Sequence, residues 1–96
     1  MRQSYIVSYD ISDPKRLRKV YQVMLSHGDH IQLSVFRCEL NAMELTGLKS
    51  ALRDVIHSGE DQVLFASLGP VDGRARTAVE SLGKPYMDPE RLAVVV

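Results

Sequence analysis

The sequence predicts an α+β sandwich, in which two helices cover one face of an antiparallel sheet. Three observations support this fold class. Apolar residues follow strand-like and helix-like spacings in alternation, two helix start signals separate the strand-like segments, and no linker or internal repeat divides the chain. With 96 residues, the chain is expected to form one domain around a single core, since single domains usually hold roughly 100 to 150 residues. Residues 1–96 are therefore interpreted as one domain.

Composition excludes several classes of protein. With 45% apolar and 25% charged residues, the chain is neither disordered nor collagen-like. The longest apolar run, Leu92 to Val96, is far shorter than the roughly 20 residues of a membrane span, and the segment Met1 to Tyr5 is unlike a secretory signal. A cytoplasmic location without membrane contact is expected. The single cysteine, Cys38, is predicted to be a buried small hydrophobe.

The first strand and the first helix follow from local signals. Tyr5 to Ile11 (YIVSYDI) is rich in β-branched and aromatic residues and predicts a buried strand. Asp13 as N-cap and Pro14 as the first helical residue predict a helix start. Gly28 is expected to close this helix in a left-handed conformation. Helical spacing predicts a buried stripe of Leu17, Val20, Tyr21, Met24 and Leu25.

The segment from His30 to Leu40 alternates, but its phase slips at Val35 and Phe36. A slip of one residue moves the apolar side chains to the opposite face of a strand. The pattern therefore indicates either a bulged or bent strand or two short strands that meet. A bent strand is the preferred interpretation.

A second helix is predicted where Asn41 and Glu44 form a capping-box pattern. This helix is expected to end near Ser58 and Gly59. Its buried stripe consists of Leu45, Leu48, Leu52, Val55 and Ile56.

Three further strands are predicted in the second half of the chain. Gln62 to Leu68 (QVLFASL) is expected to be a buried strand that Gly69 and Pro70 stop, Ala75 to Leu82 is interpreted as a strand, and Leu92 to Val96 as the last strand. The order β, α, β, α, β with extra strands is typical of a ferredoxin-like sandwich.

A sheet with helices on one side leaves its other face exposed, and an exposed apolar face favours burial against a second copy. We therefore expect a homodimer, with residues 84–96 as a tail or strand that packs on a partner. The alternative is a tail that is frayed in solvent.

Asp10 is the first candidate for chemistry, because it is an acidic residue at the carboxyl end of an apolar strand. The alternative is a loop aspartate that only binds nearby backbone. If the two-fold axis of the dimer passes near both first strands, the two Asp10 carboxylates face each other and need a shared cation or a proton. Two carboxylates with retained water suit Mg²⁺.

Twelve basic residues balance twelve acidic ones, so any attraction to nucleic acid must be local. One local cluster exists, and a phosphate backbone is its expected partner, with a solvated helix face as the alternative. It consists of Lys15, Arg16, Arg18 and Lys19.

Ser34 and Phe36 lie at the predicted bend, where a side chain can be aimed towards a site. Phe36 is interpreted as a core residue in preference to a base-stacking platform. His27 and His30 are not favoured as a metal pair, because Gly28 and Asp29 interrupt the helix between them.

The first half of the sequence resembles a known protein family. The segment YIVSYDISDPKRLRKVYQVMLSHGDHIQLSVFRCEL resembles the N-terminal half of the small CRISPR-associated Cas-two (Cas2) proteins. The shared features are a strand ending in Tyr-Asp, a Lys-Arg-x-Arg-Lys-Val helix, a following Gly, and Gln-x-Ser-Val-Phe. The resemblance continues more weakly to the end of the chain. It implies a homodimer of ferredoxin-like subunits that, with the Cas-one integrase, captures foreign DNA and inserts it into a CRISPR array as new spacers.

The resemblance also implies a metal-dependent nuclease acting on single-stranded RNA or double-stranded DNA. Its metal-binding, catalytic carboxylate corresponds to Asp10, and the reaction is attack of a Mg²⁺-bound water on a phosphodiester, with Mn²⁺ as a possible substitute. Residues at supporting or nucleic-acid-contacting positions are Tyr9, Arg16, Arg18 and Phe36, to which the residue analysis adds Lys15, Lys19 and Ser34.

The chain departs from the family pattern after the first helix, where Asp29 and His30 stand in place of a basic residue. One carboxylate per subunit is also sparse for a phosphodiesterase. Two alternatives therefore stay open: a non-catalytic DNA-binding scaffold for the integrase, and a VapD-like toxin ribonuclease without an integrase partner.

Overall fold

Four antiparallel strands form the sheet in this computed structural model, which describes residues 1–85. The order of the strands across the sheet is β2-β3-β1-β4. The elements in chain order are β1 (Gln3–Asp10), α1 (Pro14–Leu25), β2 (Asp29–Gln32), β3 (Val35–Leu40), α2 (Ala42–Arg53) and β4 (Gln62–Pro70), followed by a 3-10 turn (Arg74–Arg76). The predicted α+β class is confirmed.

The core lies between one face of the sheet and the two helices. Alternate residues of β1 and β3 point towards the helices, as the period of two requires. The predicted apolar stripe of α1 is narrower than expected, since Leu17 is 41% exposed and Leu25 is 49% exposed. The buried core cluster consists of Val7, Tyr9, Val20, Met24, Phe36, Cys38, Leu40, Leu48 and Leu52.

Cys38 is buried, as predicted, and burial raises the pKa of its thiol to about 11. A thiol with this pKa stays protonated at neutral pH. Cys38 is therefore a packing residue in this fold.

Both predicted helix starts are confirmed. The Asp13 side chain accepts a hydrogen bond from the Arg16 amide at 2.9 Å, with Pro14 opening the helix. In α2, the Asn41 side chain and the Glu44 side chain each accept a hydrogen bond from the other residue's amide, at 2.7 and 2.9 Å. The capping box satisfies two amides that the helix itself cannot pair.

The predicted end of α2 near Ser58 is wrong, because the helix ends at Arg53. Val55 and Ile56 nevertheless pack against the core from the connection that follows the helix. Their burial prolonged the apolar pattern past the helix end.

The preferred interpretation of a bent strand from His30 to Leu40 is wrong, and the alternative of two short strands is correct. Strands β2 and β3 pair antiparallel through a tight turn at Leu33 and Ser34. Leu33 takes a left-handed backbone conformation with φ of 30°. The slip in phase therefore marks a reversal of the chain.

Gly28 follows α1 as expected, but not for the predicted reason. Gly69 and Gly83 have positive φ, and Gly28 does not. A Cβ at Gly28 would lie 2.5 Å from the Cys38 sulfur and 2.7 Å from the Arg37 carbonyl oxygen. The chain needs glycine here because its backbone passes directly against β3.

The strand predicted from Ala75 to Leu82 is wrong. The 3-10 turn Arg74–Arg76 follows β4 instead, and no strand occurs among residues 71–85. Ala75 is buried, and its carbonyl oxygen accepts a hydrogen bond from the Arg37 guanidinium. This tertiary contact holds the segment in a turn. The predicted last strand, Leu92 to Val96, lies outside the described residues.

The sheet face away from the helices remains partly apolar. Ile6 of β1 and Val35 of β3 are partly exposed, and Leu64 of β4 is 55% exposed. Neither helix of the described part has the length and apolar content that a membrane crossing requires.

Candidate nucleic-acid interface

Asp10 is the last residue of β1 and is exposed. It is opposite Gln62 of β4 in the sheet, and the described part of the chain offers its carboxylate no hydrogen bond or ion pair. Residues 1–85 contain no group of three or more His, Cys, Asp or Glu side chains placed to hold a metal ion. Among residues 1–85, Asp10 is therefore the free carboxylate at this end of the sheet.

Arg16 is bound to a carboxylate that sequence reasoning missed. Its Nε donates to Asp61 Oδ2 at 2.7 Å, and its Nη2 donates to Asp61 Oδ1 at 3.2 Å. A second, exposed partner is Glu60, at 3.2 Å from Nη2. The arginine thus joins α1 to the segment before β4, so a phosphate would have to compete with the Asp61 carboxylate for it.

Asp61 holds together the two loops beside Asp10. Besides the Arg16 bonds, it accepts hydrogen bonds from the Ser12 amide at 3.0 Å, the Ser12 hydroxyl at 3.1 Å and the His57 amide at 2.8 Å. Its side chain is fully buried in this network. The Arg16 hydrogen bonds, helped by those from His57 and Ser12, hold the pKa of Asp61 well below its ordinary value.

No pattern in the sequence marks Asp61. An acidic residue between a glycine turn and a strand is ordinary, and its partner Arg16 lies 45 residues away. Only the pairing of β1 with β4 brings the two together.

The other three cations of the predicted cluster are exposed. Lys15, Arg18 and Lys19 make no ion pair within residues 1–85. Their spacing of three and four residues puts them on adjoining positions of one helix face. This cationic stripe begins within α1's first turn, directly after the loop that follows Asp10.

Tyr9 and Phe36 are packing partners beneath this surface. Phe36 is fully buried and Tyr9 is 6% exposed, with ring centroids 6.2 Å apart. The core interpretation of Phe36 is therefore confirmed, and its ring serves as support for Tyr9, out of reach of a nucleobase. Burial, with a smaller contribution from Tyr21, raises the pKa of Tyr9.

Ser34 links the hairpin to β1, because its carbonyl oxygen accepts a hydrogen bond from the Tyr9 amide at 3.1 Å. Ser34, Tyr9 and Arg18 line the same groove. Of the predicted site residues, the structure thus gathers these three at the Asp10 end of the sheet, with Lys15 and Lys19 adjoining on α1.

The rings of His27 and His30 each hydrogen-bond to a different backbone carbonyl group. The His27 Nδ1 donates to the Val23 carbonyl oxygen at 2.8 Å, and the His30 Nε2 donates to the Leu33 carbonyl oxygen at 2.6 Å. Each ring has its own backbone partner.

The chain is similar to known proteins in both sequence and structure. The profile of the family "CRISPR associated protein Cas2" matches residues 3–72. The CRISPR-associated endoribonuclease Cas2 1 of Rhodospirillum rubrum is 42% identical over 97% of this chain and 90% of its own. The CRISPR-associated endoribonuclease Cas2 of Geobacter sulfurreducens is 36% identical over the full length of both chains. Streptococcus pyogenes Cas2 has a similar structure, with a TM-score of 0.71 and 29% identity over 83% of this chain and 99% of the other.

Proposed function

The chain belongs to the CRISPR-associated protein Cas2 family, and on that premise we propose that it is a nuclease that hydrolyses phosphodiester bonds of single-stranded RNA or double-stranded DNA. The observation that carries the proposal is the exposed, unpaired Asp10 at the end of β1, followed directly by a helix whose Lys15, Arg18 and Lys19 lack acidic partners in the described part. A free carboxylate beside free cations suits a phosphate backbone bound with a metal ion.

The proposed active form is a homodimer of ferredoxin-like subunits. The described residues of one chain supply a single free carboxylate at the site, and a two-fold axis would supply the second from the other Asp10. The partly apolar open face, with Ile6, Val35 and the exposed Leu64, supports burial against a second copy. The two Asp10 carboxylates would hold Mg²⁺, or Mn²⁺ in its place. When bound, this ion supplies a water of lowered pKa and neutralises charge on the phosphate.

The proposed biological role is spacer acquisition in a CRISPR system, as the nucleic-acid-binding partner of the Cas-one integrase. This proposed role implies a location in the cytoplasm, where the protein would meet the DNA of the CRISPR array. Sequence and structural similarity to the Cas2 family support this assignment.

A second candidate is a non-catalytic scaffold that binds DNA for the integrase. Two observations favour it: Asp10 has no neighbouring ligand cluster in residues 1–85, and Arg16 is committed to Asp61. In this role the cationic stripe binds phosphate, and Asp10 organises the dimer without cleavage.

Asp10→Ala separates the two candidates. We expect the variant to lose cleavage of labelled single-stranded RNA and duplex DNA by roughly 100-fold or more in Mg²⁺ or Mn²⁺. Because Asp10 is exposed and unpaired in the described part, the variant should match wild type in its thermal unfolding midpoint (Tm) and in its mass by light scattering. Asp72→Ala, at another exposed aspartate, is the control and should retain cleavage. Absence of cleavage by the folded wild-type dimer, with DNA binding intact, would establish the scaffold instead. Equal cleavage by Asp10→Ala would refute the role of Asp10.

The two arginines of α1 should behave differently. Arg18→Ala is expected to weaken oligonucleotide binding about tenfold and to reduce the salt slope by about one, with an unchanged Tm. Arg16→Ala is expected to lower the Tm, because it leaves the buried Asp61 carboxylate without its cation. Fluorescence anisotropy over a salt series, beside thermal unfolding, measures both. Arg53→Ala, at an exposed arginine of α2, is the control for charge alone. A salt slope unchanged by Arg18→Ala would exclude a phosphate contact at that residue.

A further inference from the structure

A groove lies between α1 and the tip of the β2–β3 hairpin, directly beside the Asp10 end of β1. Its volume is about 590 Å³. We call it the aromatic groove, and its lining includes Tyr9, Leu17, Arg18, Tyr21, His30 and Leu33. The family resemblance and the proposed nuclease role leave four of these, Leu17, Tyr21, His30 and Leu33, without a task.

The rings of the aromatic groove are fixed in place. Tyr21 and His30 meet edge to face with centroids 5.3 Å apart, and His30 lies 4.9 Å from the ring of the buried Phe36. The hydrogen bond from His30 Nε2 to the Leu33 carbonyl oxygen sets the orientation of the imidazole. A groove with rings held in this way is preorganised for a flat apolar ligand.

Leu33 is unfavourable in two respects. Its φ of 30° lies in the left-handed region, which costs a leucine free energy because of its Cβ, and its side chain is 87% exposed. Glycine or asparagine would take the same turn with less strain. At this exposure, the leucine side chain gains little from packing within the described part of the chain. Strained residues of this kind cluster at ligand sites.

The charge beside the aromatic groove identifies the ligand. Arg18 lines the groove and makes no ion pair in the described part, and Lys15 and Lys19 adjoin it on α1. A flat ring with a phosphate beside it is a nucleotide. The base must be unpaired, since a base within a duplex is stacked and its face is inaccessible.

We propose that the aromatic groove binds the base of an unpaired nucleotide in a single strand, with the adjoining phosphate held by Arg18. This inference rests on the proposed function, because it assumes that the protein binds nucleic acid. It adds a site that selects single-stranded substrate next to Asp10. Leu33 and Leu17 form the apolar walls, and the rings of Tyr21 and His30 contact the base.

The test is a binding measurement in EDTA, so that it does not depend on cleavage. The probes are a labelled oligouridylate, an abasic strand of the same length, and a duplex. Leu33→Asn removes the apolar wall and suits the left-handed turn. We expect it to weaken oligouridylate binding about fivefold, while binding of the abasic strand and the duplex is unchanged. Met43→Asn, at another strongly exposed apolar residue, is the control and should match wild type.

Each other outcome would contradict the proposal that the aromatic groove binds a base. Equal losses for all three probes, or no loss, would exclude base binding at Leu33. A changed mass in light scattering, with oligouridylate affinity unaltered, would assign Leu33 to contact with a second copy.

Cross-linking with a 4-thiouridine strand gives a second measurement on the wild-type protein. We expect cross-links at Tyr9 or within residues 14–34, which contain the other lining residues of the groove, and cross-links confined to other segments would refute the proposal. If the wild type binds none of the probes in EDTA, the groove is refuted, whereas the proposed function is decided separately by the cleavage assay in Mg²⁺ or Mn²⁺.

Discussion

Replacing Gly28 by alanine is expected to lower the Tm by about 15 °C, from a loss of about 3 kcal/mol in the free energy of unfolding. The added Cβ would lie 2.5 Å from the Cys38 sulfur and 2.7 Å from the Arg37 carbonyl oxygen. Both atoms belong to β3, which is paired on both sides in the sheet, so the backbone carbonyl oxygen of Arg37 does not yield without displacing a strand. Thermal unfolding followed by circular dichroism measures the change.

Gly47→Ala is the matched control for this substitution. Gly47 lies inside α2, where an added Cβ meets no atom within 4 Å. Alanine is a better helix former than glycine, so this variant should gain about 1 kcal/mol. Opposite signs for the two variants would establish that close approach, and not backbone freedom, requires glycine at residue 28. A Gly28→Ala variant as stable as wild type would contradict this account.

Replacing Asp61 by asparagine is expected to lower the Tm by roughly 10 °C at pH 7. The buried carboxylate accepts five hydrogen bonds, and an amide NH₂ in place of either oxygen would face a donor on Arg16 and a further donor on Ser12 or His57. Glu60→Gln removes the other, exposed partner of Arg16 and should change the Tm by no more than about 2 °C. Equal changes in Tm for the two substitutions would contradict this account, because the Asp61 carboxylate would then contribute no more than the exposed Glu60.

The pH dependence of the Tm of wild type and of Asp61→Asn gives an independent measurement of the role of the Asp61 carboxylate. The folded-state pKa of Asp61 lies well below its ordinary value, so its stabilising effect is complete above the unfolded-state value of about 3.9. This effect is lost as the pH falls below that value towards the folded-state pKa. The difference in Tm between wild type and Asp61→Asn should therefore narrow below about pH 4. A constant difference down to pH 2 would exclude ionisation of Asp61 as the cause.

Local signals were sufficient for the α+β class, for both helix starts and for the position of Asp10 at the end of the first strand. The Asp13 N-cap, the capping box at Asn41, the family of the chain and the burial of Phe36 all follow from short segments of sequence. Asp10 was predicted at the end of the first strand, and the structure places it there. These features depend on residues a few positions apart, whose hydrogen bonds and periodic spacing do not require knowledge of the rest of the fold.

Tertiary structure alone decided the remaining features. The hairpin at Leu33, the turn at Ala75 and the close approach at Gly28 each depend on a strand or side chain distant in sequence. The commitment of Arg16 to Asp61 has the same origin, since it requires β1 and β4 to be neighbours. A cation in a basic cluster has no local mark that tells whether it faces a phosphate or a buried carboxylate. The sequence by itself therefore determined that Asp10 and the basic residues of α1 lie close together in the chain. Packing brought Asp61 to the same end of the sheet and so determined which of the cations are free to bind a ligand.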